Sequence, residues 1–174
     1  MAWTYQLSAD EVSGIGKALD PRKGAFYEDG ILTVVDAAEN AVVEAALPGI
    51  GAAALLAAKD ATKAEVDAAA ESVRLSYITA GAGQALTYSQ KATEAVAYLG
   101  AANPVAADYP LLNAEVGITG PTIAEVAAIV KAAFDQWQII GAQIEAARLG
   151  AKKAIAAAAT AAEAQAVLDG IVWP

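Results

Sequence analysis

Over residues 123–158, apolar side chains recur at Ile123, Val126, Val130, Ala133, Trp137, Ile140, Ile144, Ala147, Ala151, Ala154 and Ala158. The steps alternate three and four without a break, which is the heptad seam of a helix packed lengthwise on another helix. A strand has no use for that period, because its faces alternate at every residue. A helix this long needs a partner helix, from its own chain or from another copy. The seam is large up to Ile144 and alanine beyond it, so its far half is expected to pack closely against a thin neighbour. Lys131 with Asp135 (i,i+4) and Glu145 with Arg148 (i,i+3) lie off the seam. Each such pair adds a few tenths of a kcal/mol.

The first 50 residues follow a different pattern. Trp3-Thr4-Tyr5-Gln6-Leu7 alternates apolar and polar residues as a strand does. Asp20-Pro21-Arg22-Lys23-Gly24 and Glu28-Asp29-Gly30 are turn signals. Ile31-Leu32-Thr33-Val34-Val35-Asp36 is the strongest strand in the chain. After a turn at 37–40, residues 41–47 read as its hairpin partner, stopped by Pro48-Gly49. The expectation is a small β-meander, too small to stand without a helix or second chain against it.

From Gly51 onward the pattern is helical. Asp60 or Thr62 is a candidate cap for a helix with Val66, Ala70, Val73, Tyr77 and Ala80 on one stripe. Gly81 and Gly83 interrupt it. The stripe resumes at Tyr88, Ala92, Ala95 and Leu99 and closes at Gly100. Asn103-Pro104 breaks the run, 106–116 forms a short helix around Tyr109-Pro110-Leu111-Leu112, and 117–122 is a loop. A last break falls at Thr160 or at Asp169-Gly170. The expected fold class is α+β, predominantly α. A β-rich segment at 1–50 serves for docking or as a tip, and an Ala-rich helical domain at 51–174 forms an antiparallel hairpin or bundle with a coiled-coil-like seam.

Composition narrows the function. Alanine fills 48 of 174 positions and 57% of residues are hydrophobic, which excludes a disordered chain. The absence of Cys and His removes thiolate nucleophiles, the commonest zinc ligands and the commonest general base. Eleven basic against 20 acidic residues, a net charge of −9, argue against a nucleic-acid partner. The apolar run 48–58 is shorter than the roughly 20 residues that cross a bilayer, so no membrane partner is expected. The start of the chain lacks the basic and apolar regions of a signal peptide. Gly49-Ile50-Gly51-Ala52-Ala53-Ala54 matches a dinucleotide-binding fingerprint, with Glu71 at the spacing of a ribose ligand. A Pro-Gly turn entering an Ala-rich helix is the expected meaning. Asp10-Glu11 and Glu28-Asp29 read as solvated turn charges, and no Ser or Lys sits in a catalytic motif. No catalytic residue, metal or cofactor is therefore expected. The residues expected to anchor interactions are Trp3, Tyr5, Trp137, Ile140, Ile144 and Trp173. Trp137 reads as core, whereas Trp3 and Trp173 fit either a clasp on the chain's own body or an anchor for a partner.

Residues 72–174 resemble a family of tail proteins of tailed bacteriophages and prophages. The resemblance is carried by Arg74-Leu75-Ser76-Tyr77-Ile78-Thr79, by Gly81-Ala82-Gly83-Gln84-Ala85-Leu86-Thr87-Tyr88 with Lys91 and Glu94-Ala95, and by Tyr109-Pro110-Leu111-Leu112-Asn113-Ala114-Glu115. It continues through Gly117-Ile118-Thr119-Gly120, Trp137, Ile144-Glu145, Arg148 and Trp173-Pro174. Such regions follow variable, β-rich N-terminal segments in tail-fibre or tail-assembly proteins. The resemblance implies a non-enzymatic virion component made in the bacterial cytoplasm. Its partners would be further copies of itself and other phage virion proteins. A tail-fibre assembly chaperone is the alternative, and a small ligand-binding module or enzyme is the alternative of another class. No functional residue carries over from the family.

Overall fold

The computed structural model describes residues 1–174 except Lys17 and Pro21, so the proline of the expected 20–24 turn lies outside the described residues. The fold is α+β and predominantly α, a small antiparallel sheet followed by long helices. The chain divides into two compact units, Met1–Asp60 and Ala61–Pro174. The division falls after Asp60 rather than after Ile50.

In the first unit, β1 (Trp3–Gln6) and β2 (Ala25–Glu28) flank β3 (Ile31–Val34) in the order β1-β3-β2. The last strand is therefore central, and the sheet is not a sequential meander. Asp29 and Gly30 link β2 to β3 with φ of 50° and 80°, the two-residue hairpin turn that Asp-Gly favours. Between β1 and β2 runs α1 (Ala9–Gly16). Ser8 and Glu11 cap it reciprocally: the Ser8 amide donates to the Glu11 carboxylate at 2.7 Å, and the Glu11 amide to Ser8 Oγ at 3.3 Å. Leu32 and Val34 point inward onto Ile15 and Val43.

The segment 41–47 is not a strand. Asp36 Oδ1 accepts the amides of Ala38 and Glu39 at 2.9 and 3.1 Å, and α2 runs from Ala37 to Leu75 with Pro48 inside it. Neither Pro48-Gly49 nor Asp60 or Thr62 marks a helix end. Val43, Ala46, Leu47 and Ile50 sit at helical spacing and pack in the sheet's core. Cover for the sheet thus draws this segment into a helix despite its β-branched residues and the amide hydrogen bond that Pro48 cannot make. The sheet obtains its helix from its own chain.

In the second unit the central element is α5 (Ile123–Ala157). Thr122 caps it, with the Glu125 amide donating to Thr122 Oγ1 at 3.3 Å. Thr160 caps α6 (Ala161–Asp169) in the same way through Glu163, at 3.1 Å. The chain breaks at both of the places expected as alternatives: it leaves α5 at Ala158, just before Thr160, and Gly170 ends α6. α3 (Ala82–Gly100) lies antiparallel to the first half of α5, and Ala95 packs on Val126, Ala127 and Leu112. The expected helix at 106–116 is a 3-10 turn (Ala106–Asp108) and the single-turn α4 (Pro110–Asn113). Buried Glu94 accepts the Leu111 and Leu112 amides at 2.9 and 3.2 Å and so caps α4 from α3. Against the second half of α5 lie residues 61–75 of α2 and α6, with Val66, Ala151, Ile155 and Ala164 buried together.

The seam of α5 is covered along most of its length, with a drift. Val126, Ile144 and Ala151 are buried, while Ala133 and Ala154 are exposed and Ile155 takes the inward position. An α-helix gains about 20° per heptad on a strict 3.5-residue repeat, enough to move the inner face one residue along by the last two turns. Ile144 is fully buried and Ile140 half-buried. Ile144→Ala is therefore expected to lower unfolding free energy by about 2–5 kcal/mol, and Ile140→Ala by clearly less, in denaturant titrations of the two variants.

Candidate interaction site

The residues expected to anchor interactions divide once placed. Tyr5 faces inward from β1, and its hydroxyl donates to Asn40 Oδ1 on α2 at 2.6 Å. Burial pushes the Tyr5 phenol up, and the charge of Glu44 adds to the shift. Trp3, two residues earlier on the same face, is half-buried opposite Val34. Ile144 is core and offers nothing to a partner. Trp173 packs with Val167, Leu168 and Ile171 on the Val66 cluster, so it is a clasp on the chain's own body. Ile140 is half-buried. Trp137 is half-buried as well and lines a cavity between α3 and α5; it is a wall residue rather than core.

Many of the residues that carry the resemblance touch one another. The Tyr77 hydroxyl donates to the Pro174 carbonyl at 3.1 Å, and the Tyr88 hydroxyl to Thr79 Oγ1 at 3.2 Å. Lys91 pairs with Glu115 at 2.6 Å, and Glu115 also accepts from the Thr119 hydroxyl at 2.8 Å. Arg74 reaches Glu145 at 2.9 Å, Glu145 meets Arg148 at 2.7 Å, and Arg148 and Lys152 both reach Asp67 at 2.6 Å. Signs alternate along this chain of five charges, which fixes the antiparallel register of α2 on α5.

The network shifts its own titrations. Hydrogen bonds from Lys152 and Arg148 hold the Asp67 carboxyl below its ordinary range, and those from Arg148 do the same for Glu145. The Lys91 hydrogen bond lowers Glu115. The Arg148 guanidinium is pushed up by the hydrogen bonds it donates to Glu145 and Asp67. The chemistry here is ion pairing. Among the described residues no group of three or more Asp or Glu is placed to hold a metal ion. Gly49-Ile50-Gly51-Ala52-Ala53-Ala54 lies wholly inside α2; it has no preceding strand and no phosphate-binding turn, so neither the fingerprint nor the expected Pro-Gly turn exists there.

The surface that sequence reasoning missed lies on that same helix. Residues 45–58 include no charged side chain. Most of the stretch is exposed, Leu56 at 59%. By length and composition α2 is long and apolar enough to cross a membrane, which the run 48–58 taken alone is not. The signal was present as an apolar run; what was missed is that it continues in one helix with its neighbours on both sides.

Because Asp67, Glu145 and Glu115 titrate lower in the fold than the unfolded values of about 3.9 for Asp and 4.3 for Glu, the stability they add is complete above that range. It is lost as pH falls through their folded values. The melting temperature is expected to fall as pH drops below about 4, and Arg148→Met to make that fall shallower, as calorimetry across pH would read. No protein-family model, curated protein or solved structure matches this chain in comparisons with each.

Proposed function

We propose that this chain is a non-enzymatic structural component of a tailed-bacteriophage virion, in a tail fibre, baseplate or other appendage. In this reading it works as a homo-oligomer that docks to other virion proteins. The observation that carries the reading is the exposed, uncharged 45–58 stretch of α2. A helix that is apolar on every side calls for cover from protein or lipid, since apolar area left in water forgoes about 25 cal/mol per Å². Nine of its 14 residues are Ala or Gly, the side chains that let helices of neighbouring copies approach closely. By length and composition the same helix also passes for a membrane span, and vesicle flotation separates lipid from other copies as its cover. The resemblance of 72–174 to phage tail proteins supports the virion setting. The ion-paired packing of its residues fits a part selected for assembly.

The test is sedimentation of the purified chain beside its Leu56→Lys variant, together with mass spectrometry of purified particles. The expected result is an oligomer that Leu56→Lys shifts to monomer, and a fixed copy number in the particle. A monomeric parent chain at tens of micromolar, flotation with phosphatidylcholine vesicles, or absence from the particle overturns the reading. Absence from particles with oligomerisation intact points to an assembly chaperone instead.

A further inference from the structure

Within the second unit, the groove between α3 and α5 holds a cavity of about 510 Å³, inside the range of small-molecule sites. Four rings line it: Tyr77, Tyr88, Phe134 and Trp137. The lining also includes the Lys91–Glu115 pair, whose side chains are only 15% and 24% exposed. Lys91 Nζ stands 5.3 Å from the centroid of the Tyr88 ring. A shielded ion pair is weak evidence for stability, because desolvation offsets much of its attraction. Its place in a ring-lined cleft is the arrangement of a ligand site, where an apolar body is held by walls and oriented by a few polar groups.

We propose that this cavity binds a neutral, ring-bearing alcohol, a function independent of the virion reading. The rings set the body of the ligand: aromatic walls hold a flat ring by stacked or edge-on contact. The ion pair sets its charge. Lys91 and Glu115 neutralise each other, so an ionic ligand would lose its hydration without gaining a counter-charge. They also set its functional group. Lys91 has ammonium protons beyond the one it gives Glu115, and Glu115 has lone pairs beyond those used by Lys91 and Thr119. A hydroxyl satisfies both through one atom, accepting from Lys91 and donating to Glu115.

The probe is 4-phenylphenol, titrated into the full chain by calorimetry and saturation-transfer NMR, with 4-phenylbenzoate and 4-phenylbenzylammonium as charged counterparts. The expected result is saturable binding of the phenol below about 1 mM, at least tenfold tighter than either ion. Ala133→Trp fills the cavity from an exposed position and is expected to weaken binding at least tenfold with helical circular dichroism unchanged. Ser89→Trp fills it from α3 should the first variant fail to fold. No saturable binding, equal affinity for the ions, or affinity untouched by filling overturns the proposal. So does a filling variant that changes the oligomeric state of a parent chain that binds no phenol, because the groove is then a contact between copies.

Discussion

The second unit is organised by the need to cover one face of α5 over 35 residues, about 52 Å of helix. No single neighbour covers that length. The cover is divided: α3 and α4 take the first half, and the end of α2 with α6 takes the second. The change of neighbour coincides with the change in the seam. Large residues up to Ile144 face helices that carry tyrosines, as in the edge-to-face pair of Tyr98 and Tyr109 at 5.2 Å. The alanines beyond let α6 and α2 approach closely around Ile155.

Apolar cover sets which faces meet, and polar contacts set the register. The alternating charges from Arg74 to Lys152 align α2 on α5, Lys91–Glu115 ties α3 to the turn after α4, and Glu94 supplies the amide acceptor that a four-residue helix cannot supply for itself. Isolated exposed pairs add little, but a network shares the entropy of ordering among several contacts. In the first unit, Glu39 does similar work from α2, accepting the Asp20 amide at 2.9 Å and pairing with Lys23 at 3.5 Å.

Between the residues that cover the sheet and those that cover α5, the middle of α2 has no charge and little cover. This is the feature on which the proposed assembling role rests. The groove beside Trp137 is a different kind of opening. It carries rings and a neutralised ion pair, where the middle of α2 carries only small aliphatic surface. The two proposals accordingly assign them different occupants, a copy of the chain in one case and a small neutral molecule in the other.

The local periods and punctuation in the chain determined much of this on their own. The 3-4 alternation marked α5, the β-favouring run from Ile31 marked a strand, Glu28-Asp29-Gly30 marked a turn, and Thr160 and Asp169-Gly170, read as alternative places for one break, turn out to bound α6. Those signals were legible because each acts within a few residues: a side chain caps the amide three positions on, and a turn needs its own φ. The nature of 41–47, the continuity of α2 through Pro48, the inward shift to Ile155 and the meeting of Lys91 with Glu115 were decided by tertiary structure. Residues 41–47 suit strand or helix in isolation, and packing against the sheet chooses. Whether Trp137 is core or cavity wall depends likewise on how closely α3 approaches α5, which no local interaction sets.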